Sequence, residues 1–301
     1  MFLYRINSTA YANVVEFAGT ASYNTIDSCK LTSATATATN TGIVCVYASD
    51  LIGGNNKVSN CDLLNGSYGV YWYGTSTTVL TDNNTFENNT VTNAYYYSMH
   101  FYYNNNLKVK GNSITTNSAY ASHVGIRTYY SDGQQEITNN YVNIPALYGM
   151  YLYYNDATVS APSIVANNEI IVGGTGVANG IRSYYSSNQK FYNNSVRINS
   201  TSATGYAGYF YYSSSSYINN TIRNNIFSNM GGGPACYIYN ATAATGNTFD
   251  YNNYYKTTNA TLIQEASPTS AAHQSLNAWR TSTNQDRNSV NYYPSFMGLQ
   301  I

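Results

Sequence analysis

The sequence predicts an all-β fold, a right-handed parallel β-helix of about nine stacked coils ending in a carboxy-terminal extension or cap. Three observations carry this: a six-residue motif that recurs nine times, a second motif that follows it, and a composition suited to strands and corners rather than helices.

The first motif runs apolar, any, Asn, Asn, any, apolar. Clear copies span 86–91, 137–142, 165–170 and 191–196, and degenerate copies span 26–31, 58–63, 109–114, 217–222 and 244–249. The fourth positions are 23 to 32 residues apart, the length of one coil, and the uneven steps place insertions at turns. Parallel strands lie about 4.8 Å apart, so nine coils make a rod on the order of 40 Å long. Stacking brings equivalent residues into contact, so the Asn positions are expected to form amide ladders. Asn also tolerates the left-handed backbone of a sharp corner. The apolar positions fill the interior.

The second motif runs Gly, apolar, any, any, Tyr, Tyr, at 125–130, 149–154 and 180–185, with looser forms at 69–73, 98–103, 207–212 and 42–47. It predicts a second strand on another face, with Gly supplying a positive φ or a bend.

Composition agrees. Only 9% of residues are charged, 13 basic against 13 acidic, so solubility rests on neutral polar groups and no basic excess exists to hold nucleic acid. Tyr is extreme at 35 of 301 residues, and this aromatic content argues against disorder. No apolar stretch is long enough to cross a bilayer. The first ten residues lack the basic and apolar regions of a secretory signal. The uncharged surface nonetheless points to an extracellular or cell-surface setting, so the gene is expected to begin upstream of Met1 and the signal sequence to lie there. Residues 1–255 are assigned to the β-helix and 256–301 to the extension, in which Leu276 and Trp279 predict a short amphipathic helix with Trp279 packing inward.

With these repeats, and with residues 252–255, 275–279, 285–286 and 294–296 of the tail, the chain resembles the right-handed parallel β-helix repeat proteins of bacterial, Bacteroidetes-type cell surfaces, within the pectate lyase-like fold superfamily. The resemblance covers roughly Ile26 to Tyr255. It implies a fold and a compartment, but no chemistry.

Function must then lie on the outer faces. If Ile126, Met150 and Ile181 point inward, alternation turns Tyr71, Tyr73, His100, Tyr102, Arg127, Tyr129, Tyr151, Tyr153, Arg182 and Tyr184 outward as a stripe over five coils. Such a stripe suits a polysaccharide or cell-surface glycan, with ring faces against Tyr and hydroxyls or carboxylates against Tyr and Arg. The same rings also stabilise neighbouring coils by cross-strand contact, at a few tenths to about 1 kcal/mol per pair. A rival reading is catalysis: enzymes of the resembled fold include polysaccharide lyases and glycoside hydrolases, and Arg127, Asp132 and Asp156 are the candidates, with calcium expected only under the lyase reading. As a third reading, exposed solenoid ends invite self-association into an oligomer or filament.

His100, His123 and His273 show no metal spacing, and no cofactor is expected. Cys29 and Cys61 occupy the same slot of neighbouring coils, which leaves a disulfide or two free thiols open, whereas Cys45 and Cys236 are expected to be buried and unpaired. The Gly run at 231–233 leads into Pro234 without the Lys of a phosphate loop.

Overall fold

A computed structural model describes residues 1–6, 10–213, 216–239, 246–266 and 270–295. The chain winds through three parallel sheets. The first has nine strands, from Thr25–Asp27 to Thr248–Asp250, and the second has ten, from Phe2–Arg5 to Asn253–Lys256. The third runs from Val15–Phe17 to Ile263–Glu265, so parallel stacking continues ten residues past Tyr255. Each coil contributes one strand to each sheet in that order, as in Thr85–Glu87, Thr90–Thr92 and Tyr97–Asn105. No helix among the described residues is long and apolar enough to cross a membrane.

The Asn-Asn pair forms the corner between first and second sheets. Its first member is left-handed, with φ of 55° at Asn88, 59° at Asn139, 56° at Asn167 and 54° at Asn193. Its second member is buried in the expected ladder. The Asn89 side-chain and backbone N–H groups both donate to Asn112 Oδ1 at 3.0 Å, and the row continues through Asn140, Asn168, Asn194, Asn225 and Asn252. Each amide also donates to a carbonyl of the preceding coil, as Asn112 does to Phe86 at 2.9 Å, so its capacity is filled. Thiols begin the row: Cys29 N–H faces Cys61 Sγ at 3.4 Å, and Cys61 N–H donates to Asn89. All four cysteines are free, Cys45 and Cys236 being fully buried.

Two motif copies sit one corner earlier than their spacing predicts. Ile222 pairs with Phe191 in the first sheet, so the ladder residue of that coil is Asn225, while Asn220 joins a parallel ladder from Gln189 to Asn247 before the first sheet. The coil contains two overlapping matches, 217–222 and 222–227, and strand pairing selects the second. In the next coil the rung is Asn252 rather than Asn247, and the start of the 244–249 copy lies outside the described residues.

Gly69, Gly125, Gly149 and Gly180 do not have positive φ. A Cβ there would lie 2.5, 2.5, 2.2 and 2.0 Å from Val91, Val142, Ile170 and Val196, so the requirement is space. Alternation also slips by one at these positions. Tyr68 and Tyr71, three residues apart, share a face with ring centroids at 5.1 Å, and Tyr148 and Tyr151 repeat the arrangement at 5.1 Å.

The interior is a continuous apolar column that includes Val70, Met99, Ile126, Met150 and Ile181, with Trp72, Phe101 and Leu152 one slot on. At the carboxy end the helix Leu276–Thr283, capped by Ser275, buries Trp279 completely. Trp279 Nε1 donates to the buried Asp286 at 2.8 Å, and Asp286 and Ser289 receive the last ladder residue, Asn252.

Candidate functional site

The outer face of the third sheet gathers the predicted residues in register. Tyr71, His100, Arg127, Tyr151 and Arg182 occupy one column, and Tyr73, Tyr102, Tyr129, Tyr153 and Tyr184 occupy the next. The second column runs on through Tyr211 and Tyr239, so seven coils carry a stacked tyrosine. Successive centroids are 4.9, 4.5, 4.6, 5.3, 4.3 and 4.5 Å apart. Tyr209 and Tyr237 extend the first column. The degenerate motif at 207–212 hid these last coils from sequence reasoning.

His100 does not belong to an exposed stripe. It is 3% exposed, packed among Tyr68, Tyr71, Tyr73 and Tyr97, and burial together with the Arg127 charge holds its imidazole well below the usual value, hence neutral. The remaining stripe residues are half-buried.

Each arginine lies in a cage of rings. The Arg127 guanidinium is 5.4, 5.0 and 5.5 Å from the centroids of Tyr97, Tyr129 and Tyr151, and Nη1 donates to Tyr97 Oη at 3.3 Å. Arg182 is 4.8, 5.0, 5.1 and 4.7 Å from Tyr148, Tyr151, Tyr184 and Tyr209, and donates to Tyr148 Oη.

A third column was missed. The second tyrosine of each pair, Tyr103, Tyr130, Tyr154 and Tyr185, turns the corner with φ of 58°, 46°, 51° and 52°. These rings stack at 5.9, 4.9 and 5.0 Å, Tyr217 continues the column at 4.9 Å, and each lies against the tyrosine before it, as Tyr103 does against Tyr102 at 4.0 Å. The signal was present in the doubled Tyr, but alternation alone directs only one of two adjacent residues outward; the left-handed turn brings the second onto the same face.

Of the three catalytic candidates, the two carboxylates come together and the arginine stands apart in its ring cage. Asp132 and Asp156 do meet, with Asp156 N–H donating to Asp132 Oδ1 at 3.3 Å, and burial followed by the neighbouring charge pushes Asp132 up to about 6. Arg127, however, lies in its own cage of Tyr97, Tyr129 and Tyr151, and among the described residues no ion pair joins it to either carboxylate. Among the described residues no group of three or more His, Cys, Asp or Glu is arranged to hold a metal ion.

No curated protein matches the chain. Among solved structures, the crystal structure of Dettilon tailspike protein aligns over 85% of this chain at 14% identity, with a TM-score of 0.29. The alignment spans 62% of that tailspike chain, less than two thirds of its length. The right handed beta helix region family matches over residues 6–142 and 42–219, most of the solenoid described above, and the chain belongs to that family.

Proposed function

We propose that this chain is a secreted or cell-surface adhesive module that holds an extended polysaccharide along the solenoid axis, on the aromatic face of the third sheet. The left-handed tyrosines carry this reading. A bulky residue at positive φ costs about 1–2 kcal/mol, and Asn makes most of the other corners, with Asp50 closing the third-sheet strand Val44–Leu51. Ring stacking contributes about 0.5–1.5 kcal/mol per pair, and each corner ring has two or more ring neighbours, as Tyr154 has in Tyr130, Tyr153 and Tyr185, so stacking offsets that cost. Stacking thus makes Tyr stable at four successive corners, and what it builds there, a continuous three-column floor of ring faces, is the feature suited to the apolar faces of an extended sugar chain.

The test is the triple variant Tyr130→Asn, Tyr154→Asn, Tyr185→Asn, compared with the parent protein for melting temperature and for retention on immobilised hyaluronan, polygalacturonate and dextran. Lost retention in a variant that still unfolds cooperatively is expected. Lower melting temperature with unchanged retention would assign the tyrosines to folding and overturn the reading.

Self-association is a second proposal, favoured by the strand Phe2–Arg5, which pairs on one side only and exposes Phe2 at 76% and Tyr4 at 72%. Electron microscopy of the parent and of Phe2→Lys/Tyr4→Lys tests it. Filaments or oligomers lost in the variant support it, and a monodisperse parent overturns it.

A further inference from the structure

The aromatic floor carries positive charge that the protein itself does not neutralise. Among the described residues no carboxylate lies within 4.0 Å of Arg127 or Arg182, although cations on the first sheet are paired, Lys57 with Glu87 at 2.6 Å and Lys110 with Glu136 at 3.0 Å. The surrounding phenols do not supply the missing charge: burial raises Tyr97, Tyr151 and Tyr209 above their ordinary values and keeps them protonated. In both arginines Nε is buried without an acceptor, so the rings orient the guanidinium while leaving its fork short of partners. A guanidinium fork held this way is suited to an incoming carboxylate or sulfate.

The spacing of the charges narrows the ligand further. Arg127, Tyr151 and Arg182 are register partners in three successive coils, so the cations stand two coils apart, about 10 Å, with a neutral ring between them. The column continues as neutral His100 on one side and Tyr209 on the other. One coil rise is close to the length of one sugar in an extended chain. We infer that the floor takes an acidic polysaccharide bearing one carboxylate or sulfate on every second sugar, with one sugar per coil. This inference rests on the polysaccharide reading above and adds the charge pattern of the ligand.

The experiment compares three soluble polymers by affinity electrophoresis and calorimetry on the full chain: hyaluronan with one carboxylate per two sugars, polygalacturonate with one per sugar, and uncharged dextran. Hyaluronan is expected to bind at least about tenfold more tightly than either of the others, and Arg127→Gln/Arg182→Gln to remove about tenfold or more of that affinity together with its salt dependence. Arg127→Lys/Arg182→Lys keeps the charge and is expected to keep the salt dependence, which holds the test open if the Gln variant folds poorly. Equal or tighter binding of polygalacturonate overturns the two-coil pattern. Equal binding of dextran, unchanged in the Gln variant, overturns the acidic ligand but leaves the aromatic floor as a polysaccharide site. Binding of none of the three overturns both.

Discussion

Two rows of left-handed corners in this solenoid have nearly the same φ and opposite contents. At the inner row, Asn88, Asn139, Asn167 and Asn193 turn the chain into a buried amide ladder; at the outer row, Tyr103, Tyr130, Tyr154 and Tyr185 turn it into a half-buried aromatic floor. Backbone geometry alone would accept Asn in both. The comparison separates what the fold requires from what has been added to it, and it can be tested from both sides.

The largest effect is expected at the inner row. Asn168→Ala removes the acceptor for the Asn140 N–H groups and the donor to Ile137, leaving several buried polar groups unpaired. At about 1–3 kcal/mol for each group left unsatisfied, a loss of roughly 3–5 kcal/mol is expected in denaturant unfolding. A loss under about 1 kcal/mol would mean that the ladder is dispensable.

Acid should act next, on a buried imidazole outside both rows. His123 is buried at the start of the third-sheet strand Val124–Asp132, between Ser98 Oγ at 3.1 Å and the Tyr95 carbonyl at 3.2 Å, and burial lowers it to about 4. Below an unfolded pKa of about 6.5 the unfolded chain binds the proton that the folded chain refuses. Stability is therefore full above that pH and falls as pH drops toward 4, by up to about 3 kcal/mol. Hydrogen exchange near residues 95–123 should accelerate over that window before the ladder does, and His123→Gln should flatten the dependence. Asp132 acts in the opposite sense: its raised carboxyl favours the protonated fold, so its contribution is lost as pH rises through about 6.

At the outer row a smaller effect is expected: Tyr154→Asn alone should cost roughly 1–2 kcal/mol, because relief of the left-handed strain offsets only part of the stacking lost with Tyr130, Tyr153 and Tyr185. The smallest concerns the exposed ion pair of the first sheet, where Lys57→Ala should cost less than about 1 kcal/mol and leave glycan retention unchanged.

Much of this was legible in the sequence because a solenoid repeats its constraints. Phe86, Ile137, Val165 and Phe191 fixed the coil length, and the paired Asn announced both the corner and the ladder. The phase was lost at Ile222, where two motif matches share a residue and only strand pairing chooses between them. Gly69 and its equivalents were legible as special, but the crowding by Val91 and its counterparts is a contact between coils that no local pattern records. The isolation of Arg127 and Arg182 was likewise invisible, since it depends on where every carboxylate lies.

The amide ladder has a direction. Between the amides of the row every donation from Asn89 to Asn252 runs toward the carboxy end, the second donor of each going back to a carbonyl of the preceding coil, and the last forward donation falls on Asp286, where the donors of Trp279, Tyr254 and Ser289 also converge. No single amide can reverse without breaking the bonds on both sides of it, so the row polarises as a unit. The rod thus has an electrical axis as well as a mechanical one, and a single acceptor behind the terminal tryptophan sets its sense for all the coils below.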